Sequence, residues 1–386
     1  MYGYQSLQDY LFLMFYGGIT MLALVAAVYL WLRRGNAIDP AVTPPKVLRL
    51  WTGAFFMASA MSHIWWYVLG VYWLTDDRLV RNICVISLDH ITIVPLVMAL
   101  LLRLLQDRQR RIWPWIAIQL PVIGFAVVGI IQHDAFYGLD MMHYWQFAVM
   151  FVFVIYYAFA VMQYGRWLHD NYADLEHKEV WQSLLFVVFL LFVYEAYTSN
   201  AGELSREYLS QLITLVIIAF LLWRVETLQK LEIKDNDAAI QTEADDIHGA
   251  IPSNFGPLLE RCCEKSKLYL QHGLTLSQLA EAIGTNRTYL SQYFSQQGTT
   301  YNAYINRHRI AHFEQLYRKA VSAGQTVTAQ QLAVESGFKS YRTFSAVFRQ
   351  FEDQNVTTWM RNQTNELQNL QSELQNLQSE LQNMQK

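Results

Sequence analysis

Apolar residues fill the first 225 positions in long blocks broken by short polar stretches, and the pattern changes abruptly beyond Trp223. A helix that crosses hydrocarbon needs about 20 mostly apolar residues. Seven such stretches follow one another: Leu11 to Leu32, Trp51 to Leu74, Ile83 to Leu102, Trp113 to Ile131, Tyr144 to Tyr164, Val180 to Tyr197, and the shorter Tyr208 to Trp223. The first is too long, and too closely followed by further spans, for a cleaved signal peptide. From Phe255 onward the apolar positions recur at helical spacing with glycines at the turns, and after Arg361 they repeat every seven residues. The expected fold class is all-α: a seven-helix transmembrane bundle, a further helical domain, and a short C-terminal coiled coil.

Composition changes this picture in one respect. The 386 residues are 53% hydrophobic and only 16% charged, against about a quarter charged in soluble domains, which excludes a single soluble core. Charge is also unevenly placed. Residues 1–225 carry 14 Lys and Arg against 15 Asp and Glu, residues 226–254 carry 2 against 7, residues 255–361 carry 12 against 7, and residues 362–386 carry 1 against 3. Four units are expected: a membrane domain (1–225), an acidic linker (226–254), a basic helical domain (255–361) and a heptad tail (362–386). Eleven of the twelve tryptophans fall in the first unit. Three cysteines, Cys84, Cys262 and Cys263, make neither a disulfide framework nor a metal motif.

Basic residues near spans are retained in the cytoplasm. The first, third and fifth loops hold Arg33, Arg34, Lys46, Arg49, Arg103, Arg108, Arg110, Arg111, Arg166 and Lys178, whereas the second, fourth and sixth hold only Arg78, Arg81 and Arg206. The expected topology therefore has the amino terminus outside and everything after Trp223 in the cytoplasm, as for a multi-pass protein of a bacterial inner membrane.

Ionisable residues in hydrocarbon are costly and call for an explanation. His63, Asp89, His90 and Glu195 are such residues, and Trp66 and Tyr67 share the helix face of His63. Two explanations stand: a ligand pocket open to the outside, or mutual pairing that fixes helix packing. His63, His90, His133 and His143 lack the short spacing of a metal motif. Pro95 and Pro121 are expected to kink their helices. No nucleophile, base and orienting group come together, so no enzyme activity and no cofactor are expected.

In the basic domain two segments match each other. LSQLAEAIGTNRTYLSQYFSQQ (276–297) and TAQQLAVESGFKSYRTFSAVFRQF (328–351) each read as a helix, a turn at Gly284 or Gly337, and a second helix. Residues 300–323 between them read as one long helix. This pair, with YINRHRIAHFEQL upstream of the second unit, resembles the AraC/XylS family of transcription regulators over about residues 258–361. The resemblance implies two helix-turn-helix units on a linking helix that read successive major grooves of double-stranded DNA, with RNA polymerase as a partner. After the second unit the family usually carries Gly and then Thr-Pro, where this chain has Asn355-Val356-Thr357-Thr358-Trp359-Met360-Arg361.

Outward residues of each second helix can reach base edges. They are Asn286, Arg287, Thr288, Ser291 and Gln292, and then Lys339, Ser340, Tyr341, Arg342, Thr343 and Ser345. Arg287 and Arg342 suit guanine, Gln292 suits adenine, and Arg349, Arg307 and Lys319 suit phosphates. In the tail, Leu367, Leu374 and Leu381 alternate with Leu370, Leu377 and Met384 as the seam of a coiled coil. Self-association as a homodimer and a repeat without a role are both open for it. The expected whole is a membrane-bound one-component regulator that takes a small-molecule or membrane signal through its bundle and binds promoter DNA. The alternative is a transporter or enzyme with an appended regulatory domain.

Overall fold

The computed structural model describes residues 7–33, 35–40, 42–68, 77–198, 204–231 and 255–384. No β-strand occurs among them. The chain divides into two compact units, residues 1–165 with 177–233, and residues 166–176 with 234–386. This division differs from the expected one at two points. The segment 166–176, expected as a cytoplasmic loop between spans, packs with the basic domain, and residues 226–231, expected as linker, pack with the membrane unit. The remainder of the expected linker, 232–254, lies outside the described residues.

The first unit is built from α1 (Leu7–Leu32), α2 (Lys46–Val68), α3 (Arg78–Leu104), α4 (Trp113–Ala117), α5 (Leu120–Gln132), α6 (Met141–Asn171), α7 (Gln182–Thr198) and α8 (Leu204–Thr227). The fourth expected span is broken between α4 and α5, just before Pro121, which has no N–H to give to a continuing ladder. Pro95, by contrast, lies inside an unbroken α3. Among the described residues, five stretches are long and apolar enough to cross a membrane: Tyr10–Leu32, Arg78–Leu104, Trp113–Gln132, Phe136–Asn171 and Tyr208–Thr227. The other two expected spans are also helices. α2 carries the buried polar residues Arg49, Thr52, Ser59 and Ser62, and α7 has 17 residues. Residues 69–74, the end of the second expected span, lie outside the described residues.

Helix α1 packs on α2 and α8, α2 on α3 and α8, and α3 on α5. Without a hydrophobic drive between helices in lipid, close approach depends on small residues. Ala23, Ala26, Ala27 and Ala60 are buried, and a Cβ at Gly53 would stand 2.2 Å from the Trp31 indole nitrogen. Gly129 and Gly138 meet backbone to backbone, since a Cβ on Gly129 would stand 2.2 Å from the Gly138 Cα. Large apolar side chains such as Met14, Leu32, Ile131 and Phe159 are exposed on this unit, which suits lipid as the surrounding solvent and not water.

The second unit contains α9 (Phe255–Leu259), α10 (Leu276–Ala282), α11 (Arg287–Gln296), α12 (Tyr301–Ser322), α13 (Ala329–Glu335), α14 (Tyr341–Glu352) and α15 (Val356–Met384). Helices α10 and α13 open with the same device, a capping box in which Thr275 pairs with Gln278 and Thr328 with Gln331. Each is followed by a glycine at positive φ, Gly284 and Gly337, and by a second helix capped by Asn286 or Ser340. One core gathers Leu276, Leu279, Leu290, Phe294, Tyr301 and Ile305. The other gathers Ile310, Phe313, Leu332, Phe344, Phe348 and Trp359. Helix α12 therefore serves both cores with successive turns. The Val356–Arg361 stretch, which departs from the family pattern, begins α15, with Val356 and Trp359 buried in the second core.

In the first unit, buried charge joins the ends of α1, α2 and α8. Arg49 donates to Glu226 at 2.7 Å, to the Arg33 carbonyl and to the Gly35 carbonyl at 3.0 Å. Glu226 also accepts from the Ala37 amide at 2.9 Å, and Asn36 donates to its carbonyl at 2.6 Å. Leu228 and Leu231 continue the packing. Removing one member of a buried pair leaves an uncompensated charge at a cost of about 3–5 kcal/mol. Arg49→Met should therefore lower the thermal stability of the full chain in detergent far more than Arg49→Met combined with Glu226→Met; equal losses would show that the pair does not hold this end together.

Candidate nucleic-acid interface

Each second helix presents one buried and one open face. In α11, Leu290 and Phe294 point inward while Thr288 and Gln292 are exposed and Asn286, Arg287 and Ser291 are half-buried. In α14, Phe344 and Phe348 point inward; Tyr341, Arg342 and Arg349 are exposed, as is Lys339 just before the helix, and Ser340, Thr343 and Ser345 are half-buried. The predicted reading residues thus share the outward face of their helices. Two of them also have a structural duty. The Asn286 Oδ1 accepts from the Tyr289 amide at 2.9 Å, and the Ser340 Oγ accepts from the Thr343 amide at 3.2 Å. Arg307 and Lys319, expected to meet phosphates, are exposed on α12.

The relation between the two units rests on a residue absent from the predicted set. Arg309 of α12 is 1% exposed. It donates to the Tyr269 carbonyl at 2.7 Å and to the Gln271 carbonyl at 2.8 Å, and its guanidinium lies 5.6 Å from the Phe338 ring centroid. Burial pushes its pKa below the ordinary arginine range. One side chain thereby joins the segment before the first helix-turn-helix to the turn of the second. The spacing Ile305, Arg309, Phe313 was the available signal, because it places Arg309 on the inner stripe of the helix. The same junction is closed by Gly337, whose carbonyl accepts from His272 Nδ1 at 3.1 Å. A Cβ at Gly337 would come within 2.8 Å of the Leu270 backbone.

The segment 166–176 lies against these same elements. Ser340 and Thr343 donate through their hydroxyls to Glu176 Oε2 at 2.6 and 3.1 Å, and Arg287 stands 5.8 Å over the Trp167 ring.

The intramembrane candidates are partly brought together. Asp89 accepts from Ser62 Oγ at 2.7 Å, from the Trp65 indole at 3.0 Å and from the Trp66 indole at 2.6 Å. His63 Nδ1 donates to the Ser59 carbonyl at 2.8 Å and its Nε2 lies 2.9 Å from the Gln211 amide, while Tyr16 donates to the His63 carbonyl at 2.7 Å. Ser62, Trp65, Tyr16 and Gln211 were missed because hydroxyl, amide and indole groups are common in such helices. His90 is buried apart from this cluster and bonds to the Ile86 backbone of its own helix. The side chains of Tyr67 and Glu195 lie outside what the structure describes. His133 pairs with Asp77 at 2.5 Å, and no group of three or more His, Cys, Asp or Glu that could hold a metal occurs among the described residues.

Two capped helix-turn-helix units thus share one linking helix. A family model described as a helix-turn-helix domain matches residues 279–362, and this part of the chain is a helix-turn-helix domain of the AraC type, the DNA-binding part of a transcription regulator. Comparison with curated proteins and with solved structures finds no match.

Gly337 and Gly284 separate close approach from backbone strain, since Gly284 has φ +75° with nothing near its missing Cβ. Gly284→Ala should cost about 1 kcal/mol of left-handed strain. Gly337→Ala carries the same strain and the collision with Leu270, for a loss of about 3 kcal/mol. Hydrogen-exchange protection of residues 255–361 measures the difference, and equal losses would remove the junction from the account.

Proposed function

We propose that the chain is a membrane-bound one-component transcription regulator, in which the helical bundle takes a signal from outside or from the bilayer and the AraC-type domain acts on promoter DNA at the cytoplasmic face of a bacterial inner membrane. The observation that carries this reading is the presence in one chain of a double helix-turn-helix and of five stretches long and apolar enough to span a bilayer. The excess of basic residues in alternate loops supports a cytoplasmic carboxyl terminus.

In this reading Arg287 and Arg342 meet guanine edges on the DNA and Gln292 meets adenine. Asn286, Thr288, Ser291, Lys339, Ser340, Tyr341, Thr343 and Ser345 line the same two faces, and Arg349 suits a phosphate. The signal site in this reading is the His63, Trp66 and Asp89 cluster, and His90, Tyr67 and Glu195 are proposed as further members of it. Partnership with RNA polymerase follows from the family resemblance. The tail joins two copies: Leu370 and Leu377 are 49% and 55% exposed on α15, an apolar seam that a second copy of the helix would cover.

Five measurements test this reading. Sequencing of the DNA retained by the full chain in membranes should return two half-sites about one helical turn apart. Arg342→Ala should cost about 1–3 kcal/mol and relax preference at one base, whereas Arg349→Ala should weaken all sequences alike and lower the salt slope by about 1; identical behaviour of the two variants would contradict the assignment. Leu370→Asp with Leu377→Asp should convert dimers to monomers in detergent as seen by light scattering, and an unchanged mass would exclude the tail as the joining element. For sensing, alanine at His63, Asp89, His90 and Glu195 should abolish signal-dependent promoter output, and intact output would overturn the pocket. Transport or turnover by residues 1–225 in liposomes would instead support a transporter or enzyme.

A further inference from the structure

Helix α6 has 31 residues, or about 46 Å at 1.5 Å per residue, against about 30 Å of hydrocarbon. Its residues 141–165 belong to the membrane unit and 166–171 to the DNA-binding unit. The helix therefore runs unbroken into a short segment, Arg166–Glu176, that is built into the DNA-binding unit. The seat is specific. Ala173 is 2% exposed within the first core. Asn302 donates to the Tyr172 and Ala173 carbonyls at 3.0 and 2.9 Å, Asn306 donates to the Ala173 carbonyl at 3.2 Å, and Tyr172 forms an antiparallel bridge with Thr275.

From that seat the segment reaches the start of both recognition helices. Trp167 lies under the Arg287 guanidinium, and Asp170 interacts electrostatically with the same arginine. Glu176 takes both hydroxyls at the start of α14, Ser340 and Thr343. A carboxylate at a helix N-terminus stands where a phosphate is favoured. The segment holds one basic residue, Arg166, against three acidic ones, Asp170, Asp174 and Glu176, opposite in sign to the basic domain. Arg342, Gln292 and Arg349 remain exposed, so withdrawal of this segment is all that the rest of the reading face requires.

We propose that Arg166–Glu176 is an internal competitor for DNA: Trp167 and Glu176 occupy Arg287, Ser340 and Thr343 in place of a duplex, and movement of α6 releases them. This rests on the DNA-binding reading above. Duplex phosphate and Glu176 cannot share the Ser340 and Thr343 hydroxyls, and a base edge cannot be met by an arginine held over an indole.

The test uses the full chain in lipid nanodiscs and a random-sequence duplex of about 40 bp, several times the one-turn spacing of two grooves. Trp167→Ala, which changes no charge, and Glu176→Gln should each raise affinity, and together by about tenfold. A second variant, Glu176→Cys with Ser340→Cys, should be bridged by a short bis-methanethiosulfonate reagent, bind the duplex at least about tenfold more weakly when crosslinked, and recover on reduction. The variant also carries Cys84→Ser and Cys262→Ser, because those two thiols are partly exposed, whereas Cys263 is buried with its thiol pushed up to about 12. Unchanged or lower affinity in the first pair overturns the proposal, as does failure of the crosslink to form or a crosslinked chain that binds as well as the reduced one. A chain that binds no duplex in any form overturns the DNA-binding reading itself, and the proposal falls with it.

Discussion

The two helix-turn-helix units are held in fixed relation by a charge buried at their junction. Arg309 is enclosed, so its guanidinium must be satisfied from within; the Tyr269 and Gln271 carbonyls accept from it and the face of Phe338 covers it. Leaving any of these donors unmet would carry the full desolvation cost of the group. The residues around it follow from that need. Position 337 must be glycine because the Leu270 backbone is already there, and α12 must be long enough to supply Ile305 to one core and Phe313 to the other. Helices α11 and α14 are thus carried by two small cores joined through α12 and Arg309.

The membrane unit obeys the same rule in a solvent that offers no hydrogen bonds of its own. Asp89 is met by a hydroxyl and two indoles, and Arg49 by Glu226 and two carbonyls. Such closed sets tie α2 to its successor α3 and to the distant α8, where apolar contact alone would not distinguish one neighbour from another. Small residues then set the distance: Gly53 admits the Trp31 indole, and Gly129 admits Gly138. Polar pairing selects which helices meet, and glycine and alanine decide how closely.

Most of the architecture was legible before any tertiary information. The spans, the two helix-turn-helix units and the long linking helix follow from hydropathy and from the period of apolar positions, both local properties. The outward residues of α11 and α14 were legible for the same reason. What escaped were residues whose role is set by a distant partner. Glu226 reads as the first acid of a linker, yet it closes around Arg49; Arg309 reads as one more base in a basic domain, yet it is enclosed; Trp167, Asp170 and Glu176 read as an ordinary loop, yet they lie on the DNA-binding unit. In each case the nearest sequence neighbours carry no trace of the partner, which lies 120 to 177 residues away for Trp167, Glu176 and Arg49.

The sequence by itself determined the kind of protein: an all-helical chain in which long apolar stretches and a pair of helix-turn-helix units occupy separate regions, because span length and helical period are written in consecutive residues. Tertiary structure alone decided which charges are buried, that the end of α6 belongs with the DNA-binding unit, and that Arg287, Ser340 and Thr343 are already engaged. Those outcomes depend on where chains cross in space, and a hydrogen bond or ion pair forms with whatever group the fold brings within about 3 Å, regardless of its place along the chain.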